Sequence, residues 1–170
     1  MPHIVATGSA PAVTSCHADV RTIEQAWALL PRLRCMSFAA SPGTHSQTSW
    51  RGTGTACIKT HTDGACHWLE EQGIFTPQQT RQEVSFRNSY CWRRTATGLD
   101  LWHERFGMDD SVFLLTLVTA APGRLQGRQP HHCGADVYRA ELVFEADGFD
   151  LIWRVSGPRK DEHLAYRYRV

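Results

Sequence analysis

The chain has 170 residues, 42% apolar and 21% charged, the composition of one globular domain with a sizeable core. Its 18 basic and 17 acidic residues leave a net charge of +1 and form no basic run, so there is no electrostatic case for nucleic acid or an anionic membrane. The longest apolar run, VFLLTLV, falls far short of the roughly 18–20 residues that span a bilayer.

The N-terminus has neither the basic nor the apolar region of a secretory signal, and a cytoplasmic location is expected. Residues 1–18, rich in Ala, Ser, Thr and Pro, read as a loosely packed arm before a single domain over 19–170. Ile23, Ala26, Trp27 and Leu30 fall on one face of a helix over 19–30, with Asp19 or Thr22 as cap and Pro31 as terminator.

From there the texture is β. TSWRGTGTACIKT reads as a strand in which Gly52 and Gly54 mark a bend or bulge. CHWLEEQG, QEVSFRNSYCWRR, GLDLWHERF and SVFLLTLVT follow between turn signals. The clearest pattern closes the chain. Tyr138, Ala140, Leu142 and Phe144 alternate with polar residues, then Phe149, Leu151, Trp153 and Val155, then Leu164, Tyr166, Tyr168 and Val170. The turns ADG and GPRKD join these runs into an antiparallel meander. One helix and eight to ten short strands without βαβ alternation predict a closed, mainly β, up-and-down barrel.

The six cysteines, at 16, 35, 57, 66, 91 and 133, form no C-x-x-C pair and read as free thiols in a reducing compartment. RGTGTA is followed by a strand rather than a helix, so it is no dinucleotide fingerprint, and neither a P-loop nor G-x-S-x-G occurs. In HHCGADVY, neighbouring residues of a strand point to opposite faces, so His131, His132 and Cys133 do not converge, and no metal is expected. Two readings of this segment stay open. One is a structural turn in which Asp136 bonds backbone N–H groups. The other is a proton-transfer group in which Asp136 orients His132 and Tyr138 points inward. SGPRKD also has two readings: first a solvated hairpin with Lys160 and Asp161 paired at the surface, and second a turn that holds Lys160, one of only two lysines, over the barrel opening.

The segments HHCGADVY, WRVSGPRKD and YRYR together resemble a family of unknown function, DUF6314. The match is detailed over residues 128–170 and weaker from Trp50 through GTGTA, WLEEQG and FRNSYCW. The resemblance implies a small lipocalin-like (calycin-type) barrel and no particular reaction. It also marks two departures: Leu114 stands where the family usually has His, and Glu162 where it usually has an aromatic residue.

A barrel of this size either fills with side chains or encloses a ligand. Phe86, Tyr90, Trp92, Trp102, His103, Trp153 and Tyr166 are the predicted lining of a small-molecule site, and His132, Asp136, Tyr138 and Lys160 its predicted catalytic group. The expected function is cofactor-free catalysis, such as cyclisation or isomerisation, on a hydrophobic small molecule by a monomer or homodimer. The alternative is a non-catalytic carrier of such a molecule. Because a hairpin sets the start of one strand beside the end of the next, the 132–136 and 158–161 turns are expected at one rim.

Overall fold

The computed structural model of the chain describes residues 14–48, 50–104 and 110–170, with backbone alone for 14–21. The arm expected at 1–18 therefore lies, as far as residue 13, outside the described residues. Helix α1 (Thr14–Leu29) starts earlier than the periodicity predicts, because the TSCHA segment contains neither Pro nor Gly. Asp19 and Thr22 thus lie inside the helix rather than at its start. Pro31 ends it as expected, within a 3-10 turn at Leu30–Arg32.

Eleven strands follow: β1 (Cys35–Pro42), β2 (Gly52–Thr62), β3 (Cys66–Pro77), β4 (Val84–Arg94), β5 (Leu99–Glu104), β6 (Ser111–Ala121), β7 (Arg124–Gly127), β8 (His131–Cys133), β9 (Asp136–Glu145), β10 (Gly148–Ser156) and β11 (Asp161–Arg169). They form an antiparallel sheet in the order β10-β11-β1-β2-β3-β4-β5-β6-β7-β9, and β9 pairs with β10 to close a ten-stranded barrel. The short β8 adds to the free half of β9 next to β7.

Closure is uneven along the barrel axis. At the helix end, β6 pairs with β7, which pairs with β9. At the other end, β8 pairs with β9, and among the described residues no ladder joins β8 to β6. A recess of about 280 Å³ opens there, lined by residues that include Phe113, Leu114, Pro130 and His131.

Alternation sets the core. Met36 and Phe38, Ala56 and Ile58, Leu69, Trp92, Leu99 and Leu101, Leu142, Phe149 and Leu151, and Tyr168 share the inner face. The helix closes one end: Ala26 and Leu30 join the core, and Trp27 packs on His67 with ring centres 4.1 Å apart. The Arg94 guanidinium covers Trp27 and pairs with Glu24 at 2.7 Å.

Two sequence expectations change. Gly52 and Gly54 mark no bulge, since β2 keeps unbroken register with β1 and β3. They are small because the Phe75 ring lies over Gly52 and the Phe38 ring over Gly54, where a Cβ would collide. The register shifts fall instead along β6: against β7 between Thr119 and Ala121, and against β5, where Leu101 faces Leu115 but Trp102 faces Phe113. Leu114 is the extra residue of that bulge and packs against the core.

Candidate functional site

Two polar groups meet the inner surface of the barrel. The first sits at the open rim. The hairpin that pairs Val155 with Tyr138 and Ser156 with Val137 brings the start of β9 beside the end of β10. A tight turn, in which Gly157 N–H donates to the Lys160 carbonyl at 2.9 Å, then returns the chain into β11. The two motif turns therefore lie at one rim, as the hairpin argument requires. Lys160 Nζ is 2.7 Å from Asp136 Oδ2 and donates to the Tyr138 hydroxyl at 3.1 Å. Asp136 first, and Tyr138 second, hold the lysine above its ordinary range, so it is a fixed cation rather than an amine nucleophile.

Asp136 is thus the partner of Lys160 and does not orient His132. In β8, His131 faces Tyr138 and His132 faces Val137. The His131 ring meets the Tyr138 ring edge-on at 5.8 Å, while His132 is exposed. A three-residue strand has no periodicity of its own, so only its pairing with β9 shows which histidine shares the Tyr138 face. Leu114, at the position where the sequence resemblance expects a histidine, lines the same recess as His131.

Glu162, the other departure, is 8% exposed and accepts hydrogen bonds from Ser46 and Thr48 through Oε1. With Gly43 N–H on the Asp161 carbonyl and Gln47 N–H on the Arg159 carbonyl, it fastens the β1–β2 loop beside the rim.

The second polar group lies inside the barrel and is missing from the predicted site. Glu71, 1% exposed, accepts from the Tyr168 hydroxyl at 2.5 Å and from Asn88 Nδ2 at 3.1 Å. Burial pushes its carboxyl up, against the effect of both hydrogen bonds. Burial, reinforced by the Glu71 charge, also raises the Tyr90, Tyr166 and Tyr168 phenols, which act as donors and not as bases. Strand phase reveals Glu71: Leu69 and Glu71 are two residues apart, so a buried Leu69 puts Glu71 inside.

The predicted lining divides. Tyr90 stacks on His103 at 5.0 Å, and Phe86, Tyr90, Trp153 and Tyr166 all pack against the core. Trp92 is fully buried near the helix end against Phe149. Trp102 lies on the other side of the wall from Leu101 and packs on Phe113, itself 41% exposed, so it does not line the interior. Ring contacts run nearly the length of the barrel: Trp50 on Phe75, Phe75 on Phe38, Phe38 on Tyr166, Tyr166 on Tyr168 and Tyr168 on Phe149. Beside this column a space of about 10 Å³ remains between Tyr90, Trp92, Trp153, Tyr166 and Tyr168, enough for one water and not for a substrate. Among the described residues, no three His, Cys, Asp or Glu side chains are placed to hold a metal ion.

No curated protein and no solved structure matches the chain. A family model matches residues 21–170, the whole barrel and the second half of its helix. The resemblance confined in detail to the last strands thus extends over the fold, and the chain belongs to the family of unknown function DUF6314.

Proposed function

We propose that the chain is a cofactor-free enzyme that takes a hydrophobic small molecule at the open end of the barrel and transforms it by proton transfer, as a cyclase or isomerase does. The observation that carries this reading is the Lys160 ammonium, held between Asp136 and the Tyr138 hydroxyl at the rim of an aromatic column. Lys160 and Tyr138 are donors suited to a substrate carbonyl or carboxylate, and they strengthen as charge builds on that oxygen. In this reading His131, which shares the Tyr138 face, is the imidazole that moves the proton. Phe86 and Trp153, partly exposed and packed against the core, offer the apolar body a wall. Because the interior beneath is filled, the substrate lies at the rim and along the β6–β8 recess rather than deep in the barrel.

A second reading, a non-catalytic carrier, draws on the same rim, where the ammonium fixed by Asp136 and Tyr138 holds the polar end of a ligand without any proton being moved. Native mass spectrometry of protein purified from its own host separates the two. An enzyme releases its product and emerges empty or with a mixture of related molecules. A single unchanged lipid-like molecule at one equivalent per chain identifies a carrier and rejects the catalytic reading.

A further inference from the structure

Strands β1 and β2 bring two of the cysteines face to face. Cys35 is the register partner of Cys57, both are exposed, and both are free thiols. Their neighbours Met36, Ala56 and Ile58 are buried in the core, so the two thiols share the outer face of the barrel. The ladder fixes how near they come. Ile58 N–H donates to the Arg34 carbonyl at 2.9 Å, which makes Arg34 and Ile58 a hydrogen-bonded pair. The next pair, Cys35 and Cys57, is therefore a non-hydrogen-bonded one, with Cα atoms about 4.5 Å apart and side chains at their closest. A disulfide accepts Cα separations of about 4.4–6.8 Å, so this pair closes without moving either strand.

Of the other cysteines with described side chains, Cys66 and Cys91 lie on a diagonal, facing Arg93 and Trp68, and their thiols interact, but both are buried out of reach of a small disulfide. Cys133 is exposed but faces Asp136. Solvent reaches Cys35 and Cys57 through an open concavity of about 1400 Å³ on the outer wall, whose lining also includes Gln72 and Arg87.

We propose that Cys35 and Cys57 form a reversible cross-strand disulfide, which makes this outer face a thiol–disulfide exchange site for a low-molecular-weight disulfide such as oxidised glutathione. One cysteine thiolate attacks the small disulfide, breaks its S–S bond and releases one small thiol. The facing thiolate then attacks the mixed disulfide, forms the Cys35–Cys57 bond and releases the second small thiol. Two protein thiols are oxidised by two electrons, the small disulfide is reduced to two thiols, and the two cysteine protons pass to the released thiolates. The site is separate from the rim group and does not depend on the proposed activity.

The test is to incubate folded protein with excess oxidised glutathione, quench in acid, block free thiols and map the peptides by mass spectrometry. The expected product has lost the mass of two hydrogen atoms and yields a linked Cys35–Cys57 peptide that dithiothreitol separates. Cys57→Ser is expected to stop at a glutathione adduct on Cys35, Cys35→Ser at an adduct on Cys57, and Cys133→Ser to behave as the parent chain. Lasting glutathione adducts on both cysteines of the parent chain, no reaction at either, or a different dominant pairing would overturn the proposal. Either single variant is sufficient if the other does not fold.

Discussion

The two ends of the barrel use the same strands differently. At the helix end, Leu30, Leu33, Trp92, Leu99, Leu117, Leu125, Leu142 and Phe149 are all at most 1% exposed, and the strands pair without a gap. At the open end, Phe86, Tyr138, Trp153 and His131 keep partial exposure, no ladder joins β6 to β8 among the described residues, and an Asp–Lys pair stands at the rim. Apolar burial contributes roughly 25 cal/mol per Å², so the helix end supplies most of the stability. Charged groups over partly exposed rings add little stability, because water screens them. Their placement is explained by what they can bind.

This division can be broken by substitution. Phe149→Ala removes a fully buried ring beneath the helix and is expected to cost about 3–5 kcal/mol, read as a large fall in the denaturation midpoint. Gly54→Ala places a methyl group against the Phe38 ring and is expected to cost about 1–3 kcal/mol in the same measurement. Trp50, 61% exposed and stacked only at the outer end of the aromatic column, should change stability by about 0.5 kcal/mol or less when replaced by Ala. If Trp50→Ala costs as much as Phe149→Ala, the open end is structural and the contrast disappears.

Glu71 sharpens the comparison through pH. Its folded carboxyl titrates above the ordinary value of 4.5, mainly through burial, so the folded chain binds the proton more tightly than the unfolded chain. Its contribution is fully present below the ordinary carboxyl range and is lost as pH rises through 4.5 toward the raised value. Glu71→Gln cannot ionise and is expected to raise the melting temperature at pH 8 relative to the parent chain, with little gain at pH 4. An equal effect at both pH values would show that the hydrogen bonds from Tyr168 and Asn88, rather than ionisation, set the cost of this group.

The sequence carried much of this where period-2 alternation was long. The runs from Tyr138 to Phe144, Phe149 to Val155 and Leu164 to Tyr168 have the predicted inner faces, and the turns between them bring Lys160 to Asp136. It carried less where pairing overrides pattern. The Leu114 bulge is written in no turn residue, and three-residue β8 takes its orientation from β9, so His131 rather than His132 shares the Tyr138 face. Glu71 follows from the phase of Leu69, two residues earlier on the same face, once that leucine is assigned inward. Nothing in the local sequence shows that the aromatic column fills the barrel. That depends on rings from β1, β3, β10 and β11 meeting across the interior.

The central claim is that the rim binds and the helix end stabilises. Its most direct test titrates the parent chain, Lys160→Ala, Tyr138→Phe and the exposed control Arg139→Ala with anilinonaphthalene sulfonate, an apolar anion, and melts each variant in parallel. Loss of a charge-assisted hydrogen bond is worth about 1.5–3 kcal/mol, so Lys160→Ala is expected to weaken binding by roughly tenfold or more. Tyr138→Phe should weaken it less and Arg139→Ala not at all, with every melting temperature within about 2 °C of the parent. Unchanged binding by Lys160→Ala, or a loss matched by collapse of its melting temperature, would contradict the claim and make Lys160, Asp136 and Tyr138 a structural clasp.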